Sequence, residues 1–456
     1  MKHSDRSATD AGGLSRRDFV RAGTAAGLGA ALVPAFGRAQ APQQTTPLFT
    51  APPLERVRMG FVGIGGMGSV HLDNYLQLEG VEVKAVCDIV PEKVTRAKQK
   101  VVEKGQPEPT GYDRGPRDFE RMCAEQELDL VLTATPWEWH VPVCLAALRT
   151  GKHAATEVPA AVTLDECWQL VEAAERYRKH CVMLENCCYD RREMLMLNLV
   201  RQGVFGELLH GECSYQHDLR DIKFSTEGEG LWRRAHATRR NGNLYPTHGL
   251  GPIAQCMNIN RGNRFDYLVS MSTPSRGLQL WQQEHLAADD PRRAERYVLG
   301  DVNVTLVKTV AGQTIYLVHD TNTPRPYSRI NMIQGTRGLM QGWPDRIYVE
   351  GRSAQAHRWE PLDTWFRDHE HPLWLSERVR QASGGHGGMD FLEDWRLITC
   401  LRNGIALDQD VYDAAAWSAV VELSQRSVAH KSRAMDVPDF TRGGWRTRPP
   451  LGIVGG

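Results

Sequence analysis

The stretch VRMGFVGIGGMGSVHLDNY at 57–75 constrains the fold more than any other part of the chain. Val57, Met59, Phe61 and Val62 read as a buried strand, Gly63, Gly65 and Gly68 complete a G-x-G-x-x-G pattern, and a helix begins at once. In a strand–turn–helix unit Gly63 permits the tight turn, Gly65 lets backbone approach a pyrophosphate, and Gly68 lets the helix pack on the strand. The helix start adds unpaired N–H groups and a positive dipole end for that phosphate. A second strand over 81–87 ends at Asp88, 20 residues past Gly68. A carboxylate there accepts from a ribose 2′-OH and repels a 2′-phosphate, which favours NAD over NADP.

Strand and helix patterns alternate from 56 to about 185. Helices are expected over 91–103, 119–127, 141–150 and 164–178, and strands over 128–135, 153–156 and 181–184, the last read as the sixth strand. That order predicts a parallel sheet covered on both faces, an NAD-binding Rossmann domain at 56–185. From 186 to 456 the texture changes. Apolar–polar alternation marks 209–215, 302–310, 314–319 and 330–335, Ala311-Gly312 makes a hairpin link, and helix returns over 191–201 and within 385–430. The fold class expected is α/β: an N-terminal Rossmann doubly wound parallel sheet plus a C-terminal α+β domain with a large open, mostly antiparallel sheet. One face of that sheet packs on the first domain, and the open face suggests a homo-oligomer of unspecified size.

Residues 1–39 read as an export signal. Ser15-Arg16-Arg17-Asp18-Phe19-Val20 precedes an apolar run from Ala22 to Phe36, and Gly37-Arg38-Ala39 resembles a cleavage site, the pattern of twin-arginine export. The run is shorter than the roughly 20 residues a membrane span needs, so no stable span is expected after cleavage. Residues 40–55, rich in Pro, Gln and Thr, form a linker or arm. Twin-arginine export carries folded proteins, which suits a protein that traps a cytoplasmic dinucleotide before leaving for the periplasm or the exterior.

The whole 456-residue chain has zero net charge, and removing 1–39 takes away six positive and three negative residues, leaving about −3. With no basic block, neither nucleic acid nor an anionic membrane is an implied partner. The ten cysteines contain no C-x-x-C, so no zinc site or other metal is expected; their pairing stays open.

Ligands of such sheets sit outside the carboxyl ends of the parallel strands. This selects Gly63 to Gly68, Asp88, the loop Pro136-Trp137-Glu138-Trp139-His140, and Glu157-Val158-Pro159. Trp137 and His140 are placed for the ribose and nicotinamide side, and Asn186 for the nicotinamide carboxamide or a sugar. Polar and aromatic clusters follow: Glu185 to Arg192 with Tyr189, Tyr215 to Arg220, Trp232-Arg233-Arg234, and Asn243 to Gly249 with Tyr245 and His248. Arg325-Pro326-Tyr327 and Gly385 to Asp390 come later. A tyrosine at a strand's carboxyl end suits acid–base work if a cation lowers its pKa.

The glycine motif, Glu157-Val158-Pro159 and the antiparallel second domain resemble the glucose–fructose oxidoreductase/inositol dehydrogenase (Gfo/Idh/MocA) superfamily. Many members carry Glu-Lys-Pro at that position, where the lysine assists hydride chemistry on a sugar hydroxyl. Val158 cannot donate, accept or carry charge. The closer resemblance is to glycoside hydrolase family 109, the NAD-dependent α-N-acetylgalactosaminidases. It rests on WEWH at 137–140, TEVP at 156–159, NCCYDR at 186–191, GVFGEL at 203–208 and YQHDLR at 215–220. Further on, NGNLYPTHGLGPIA at 241–254, NINRGNRF at 258–265, HDT at 319–321, RPY at 325–327 and GHGGMD at 385–390 also match. One departure is Met67, where such proteins often have arginine.

The resemblance implies an exported glycosidase acting on terminal α-linked N-acetylgalactosamine with a tightly held, recycled NAD. Oxidation of C3 acidifies the C2 hydrogen, elimination expels the C1 leaving group, water adds, and C3 is reduced again with retention, a route that avoids the usual paired carboxylates. By motif matching, His248 and Tyr245 serve the C3 hydroxyl, Tyr189 takes the C2 proton, and Tyr327 assists the leaving group or water. The two tyrosines are interchangeable at this level. Arg233 and Tyr215 hold the substrate with Tyr245, His248 and Tyr327, and Arg233 is suited to stabilising an enolate-like charge. Gly63, Gly65, Met67, Gly68, Asp88, Trp137, His140, Glu157, Val158, Asn186 and Tyr245 border the cofactor. The alternative is an exported NAD(P)-dependent sugar oxidoreductase of the glucose–fructose type. Galacto against gluco, α against β, and the aglycone stay open.

Overall fold

A computed structural model describes residues 50–376, 379 and 385–453; the expected signal at 1–39 and most of the linker lie outside them. The first sheet contains β1 (Val57–Val62), β2 (Val81–Cys87), β3 (Thr110–Tyr112), β4 (Leu130–Thr133), β5 (His153–Thr156) and β6 (Cys181–Met183), in the order β3-β2-β1-β4-β5-β6. All five pairings are parallel. Its strands are apolar on both faces because helices cover both: Val57, Met59 and Phe61 are fully buried, as are Leu130 and Leu132. The order reverses between β1 and β4, which opens a crevice at their carboxyl ends.

The crossover helices are α1 (Gly66–Tyr75), α2 (Pro91–Glu103), α3 (Asp118–Glu125), α4 (Trp137–Arg149) and α5 (Leu164–Tyr177). In α2, Val94, Ala97 and Val101 fall on one buried face at helical spacing, and Pro91 starts the first turn. Thr163 and Glu166 form a reciprocal capping box that starts α5. β3 is the strand with no visible pattern in the sequence: three residues are too few to alternate.

After α6 (Arg191–Arg201) the second sheet forms from β7 (Leu208–Gln216), β8 (Phe265–Ser272), β9 (Val302–Thr309), β10 (Thr314–Asp320), β11 (Met332–Gly335), β12 (Gly338–Gly342), β13 (Asp345–Val349) and β14 (Met435–Asp436). Its order is β13-β12-β11-β7-β10-β9-β8-β14. Only β7 and β10 pair in parallel, so the sheet is mostly antiparallel, as expected. Gly312, at φ 90°, closes the β9–β10 hairpin.

One face packs on α9 (Thr247–Cys256), which follows the short helices α7 (Arg220–Phe224) and α8 (Arg233–Ala237), and on the long α11 (Val411–Ala429). The other leaves Met271 and Leu306 about half exposed. α10 (Met389–Asn403) returns to the first sheet, where Leu54 N–H donates to the Leu401 carbonyl at 3.1 Å. Among the described residues no helix is long and apolar enough to cross a membrane. All ten cysteines are buried and unpaired.

Candidate active site

The glycine turn between β1 and α1 forms a cradle. Gly63 adopts φ 83° and its N–H donates to the Cys87 carbonyl at 2.8 Å, which ties the turn to the end of β2. A Cβ on Gly68 would lie 1.9 Å from the Gly63 carbonyl oxygen, so only glycine lets α1 sit this close to the turn. Gly65 caps α1 without a side-chain hydrogen bond, and the first-turn N–H groups remain for an anion. Asp88 accepts from the Ile64 N–H at 2.7 Å and the Val90 N–H at 2.9 Å. Those bonds fix its carboxylate beside the turn and leave lone pairs for a ribose hydroxyl. Met67 is half buried in the first turn of α1, and its thioether donates nothing to a phosphate. These features fit a dinucleotide pyrophosphate and its adenosine ribose.

At the end of β5, Glu157 meets a residue that sequence spacing did not single out. His71, buried on α1, places Nε2 2.9 Å from Glu157 Oε1 and Nδ1 2.9 Å from Asp394 on α10. Burial pulls the imidazole down, but the charges and hydrogen bonds of Asp394 and Glu157 outweigh it and hold His71 well above its ordinary value. Glu157 is thereby held in place at the strand end, and the adjacent Val158 is buried. Asn186, also buried, donates to Asp390 at 2.6 Å, and Asp390 pairs with His386 at 2.8 Å. His140 differs from expectation. It is fully buried, with Nδ1 2.8 Å from the Pro159 carbonyl and Nε2 2.9 Å from the Thr135 carbonyl. Both ring nitrogens face backbone carbonyls and the one N–H of the neutral ring donates to one of them, so His140 braces the β4 and β5 loops.

The next group is built on β7 and α9. A Cβ on Gly249 would lie 2.5 Å from the Ser214 amide nitrogen, so α9 approaches β7 closely there and sets His248 beside Tyr215. His248 Nδ1 lies 2.7 Å from Oε1 of Glu185, a carboxylate with no exposed surface two residues past β6. Burial pushes that carboxyl up, but His248 and further hydrogen bonds outweigh it and keep it below its ordinary value. Nδ1 is thus the N–H side of the ring, and Nε2 is left to accept a proton.

Aromatic rings wall this dyad. Tyr245 meets His248 edge-on at 4.8 Å, Tyr215 at 4.6 Å and Trp137 at 5.9 Å between centroids. Tyr327 stands 6.1 Å from Tyr215 and 5.1 Å from His217. The Arg233 guanidinium lies over Tyr245, Trp137 and Trp232 at 5.1, 5.2 and 5.4 Å and pairs with Glu229 at 2.7 Å. Burial pushes Tyr215 up to about 12 with Arg233 acting against it, and Tyr245 also stands well above its ordinary value. Both are neutral hydrogen-bonding groups at physiological pH.

Tyr189 is not part of this wall. Its hydroxyl donates to Asp408 at 3.2 Å, behind β6, where Arg396 holds Asp408 through two bonds of 2.8 and 2.9 Å. Burial and the Asp408 charge drive the phenol well up. An anion beside it works against a base, so the expected assignment of the C2 proton to Tyr189 is not the one this geometry favours. Burial drives the Tyr327 phenol up as well, but there a cation acts against it: Arg329 Nη1 donates to its oxygen at 3.2 Å.

Glu185, Cys187 and His248 offer ligand atoms within 4.8 Å of one another. The 2.7 Å contact is a hydrogen bond already made, and burial drives the Cys187 thiol well up, against thiolate ligation. The cluster therefore reads as an oriented histidine with a buried thiol beside it.

Residues 57–185 match the model of the oxidoreductase family with an NAD-binding Rossmann fold, and residues 189–447 match that of the glycosyl hydrolase 109 C-terminal domain. A glycosyl hydrolase family 109 protein of Shewanella sp. (strain W3-18-1) is 48% identical over 455 residues, covering 97% of this chain and 99% of its own. One from Shewanella putrefaciens (strain CN-32 / ATCC BAA-453) is 50% identical over 410 residues, 89% of each. Among solved structures, levoglucosan dehydrogenase in complex with NADH and L-sorbose superposes with TM-score 0.65 at 18% identity, covering 85% of this chain and 100% of that one. An inositol dehydrogenase homolog from Azotobacter vinelandii, complexed with NADH and myo-inositol, gives 0.62 at 17%, with 84% and 98% covered. At these identities the two structures share the fold.

Proposed function

The chain belongs to glycosyl hydrolase family 109, and from that premise we propose that it hydrolyses terminal α-linked N-acetylgalactosamine by a redox-neutral, NAD-dependent route. The observation that carries this reading is the Glu185–His248 dyad, placed with Tyr245 beside the strand ends that hold Glu157 and Asn186. A histidine so oriented suits proton removal from a sugar hydroxyl. The acids nearest the wall are already engaged, Glu229 with Arg233 and Glu157 with His71.

NAD, when bound, accepts a hydride from C3 and later returns it. His248 Nε2 takes the C3 hydroxyl proton while Glu185 orients the ring, and Tyr245 hydrogen-bonds the same oxygen. With C3 a ketone, Tyr327 removes the C2 proton, the C–H pair becomes the C1–C2 double bond, and the aglycone leaves C1, taking up a proton from solvent. Arg233 stabilises the enolate-like charge that develops. Water then adds at C1, a proton returns to C2, and His248 gives its proton back to the C3 oxygen. Glycoside and water become free sugar and alcohol with no net redox change and with retention. Glu157, Val158, Asn186, Trp137 and Met67 border the cofactor, and Tyr215 holds the sugar.

Two further elements belong to this reading. The segment at 1–39 exports the folded, NAD-loaded protein to the periplasm or beyond, and the half-exposed sheet face with Met271 and Leu306 pairs subunits. The test is purified protein with 4-nitrophenyl α-N-acetylgalactosaminide and no added cofactor, beside a scan for dinucleotide released on denaturation. Nitrophenol release with bound NAD is the expected result. Bound dinucleotide without release from this glycoside, or from its β and gluco analogues, overturns it in favour of a sugar oxidoreductase.

A further inference from the structure

Arg329 is almost fully buried, yet three separate groups claim its guanidinium. Nε donates to Glu193 Oε1 at 3.0 Å, Nη2 pairs with Asp190, and Nη1 donates to the Tyr327 hydroxyl at 3.2 Å. Both carboxylates come from the start of α6: Asp190 caps the helix and Glu193 stands in its first turn. Burial pushes Glu193 up to about 7, with the Arg329 charge acting against it.

The backbone that presents Arg329 is strained. Ile330 and Asn331 sit at φ 58° and 37°, and a β-branched residue rarely enters the left-handed region. The turn is held from several sides. Ser214 N–H donates to the Arg329 carbonyl at 2.8 Å, Gly342 N–H lies 3.2 and 3.1 Å from the Ile330 and Asn331 carbonyls, and Asn331 donates to the same Glu193 oxygen at 2.7 Å. Strain maintained this way marks functional positions more often than spare loops. With Nε and Nη2 committed to α6, Nη1 is the arm left for Tyr327. Facing the phenol besides Arg329 are Cys187, Tyr215, His217 and Trp343. Among the described residues with a contact to the phenol, Arg329 is the permanent cation.

We propose that Arg329 is the positioning residue that makes Tyr327 a base. The clamp of Asp190, Glu193 and Asn331 fixes the guanidinium, the guanidinium fixes the phenol oxygen, and its charge stabilises the phenolate that receives the C2 proton. The proposal rests on the reading of Tyr327 as the C2 base.

Arg329→Gln and Arg329→Lys, made in the NAD-loaded full chain, test it through two readouts with N-acetylgalactosamine as probe. One is reduction of the bound NAD, which needs His248 and not Tyr327. The other is exchange of the sugar's C2 hydrogen in deuterated water. Arg329→Gln is expected to keep NAD reduction while exchange slows by about a hundredfold, the scale of one general base. The rising limb of the exchange–pH profile moves to higher pH, lysine recovers part of the rate, and added guanidinium ion restores the glutamine variant. Exchange with wild-type rate and pH profile overturns the proposal, as does an equal loss of both readouts that guanidinium does not restore. Should the glutamine variant fail to fold, Arg329→Lys carries the same test. If wild-type protein reduces no NAD, or Tyr327→Phe exchanges normally, the underlying reading falls and the proposal with it.

Discussion

Glu185 and His248 belong to different elements, 63 positions apart, and meet at 2.7 Å with Glu185 wholly buried. The pairing sets the tautomer of His248. Glu185→Gln keeps the volume but presents an amide that can donate to Nδ1, so the ring is free to turn its proton toward the substrate. The expected outcome is a fall in kcat of about a hundredfold or more with KM little changed, read as the rate at which sugar reduces the bound NAD.

The cradle makes a second prediction. Because a Cβ on Gly68 would lie 1.9 Å from the Gly63 oxygen, Gly68→Ala must push α1 off the turn. The variant should purify without dinucleotide, and mass spectrometry of the denatured protein checks this. Full NAD occupancy would contradict the cradle assignment.

Asp88 predicts which dinucleotide is found. Its carboxylate, fixed by the Ile64 and Val90 N–H groups, repels a 2′-phosphate, so the released cofactor should be NAD. Asp88→Ser should weaken NAD and narrow the preference over NADP, measured by competitive reloading of stripped protein.

A pH dependence follows from the back of the first sheet. His153 and His180 stack at 5.1 Å, and burial pushes them down to about 3 and about 4. Near neutral pH both are uncharged in the folded and unfolded chain. As pH falls below 6.5 the unfolded chain takes up protons that the folded protein refuses. Stability therefore drops by about 1.4 kcal/mol per pH unit per imidazole until the depressed values are reached. His153 Nδ1 accepts the His180 N–H at 2.9 Å, and an asparagine oxygen can replace it. Urea midpoints at about pH 7.5 and about pH 5 should differ less in His153→Asn than in wild type.

Long apolar strands and helices with a single buried face were legible because burial imposes a period. β1, β2 and α2 show it plainly, whereas three-residue β3 and the half-exposed β8 do not. The strand-end rule singled out Glu157 and Asn186, which the fold sets just past the ends of β5 and β6. It could not say where a ring points: His140 turns both nitrogens to backbone, and Tyr189 turns toward Asp408. His71 and Arg329 escaped notice for another reason. The carboxylates that fix them, Asp394 and Glu193, lie 323 and 136 positions away, and no local pattern records a contact made by the tertiary fold. Glu185 left one trace, an acid just past the sixth strand.

The measurement that bears most directly on the redox-neutral route is hydrolysis of an α-N-acetylgalactosaminide in deuterated water, followed by NMR of the first-formed sugar. Elimination and re-addition predict deuterium at C2 of every product molecule, retention at C1 and no deuterium at C3. A product with protium retained at C2, from substrates whose deuteration at C2 or C3 leaves the rate unchanged, would mean direct displacement at C1 and would contradict the roles of His248, Tyr327 and NAD.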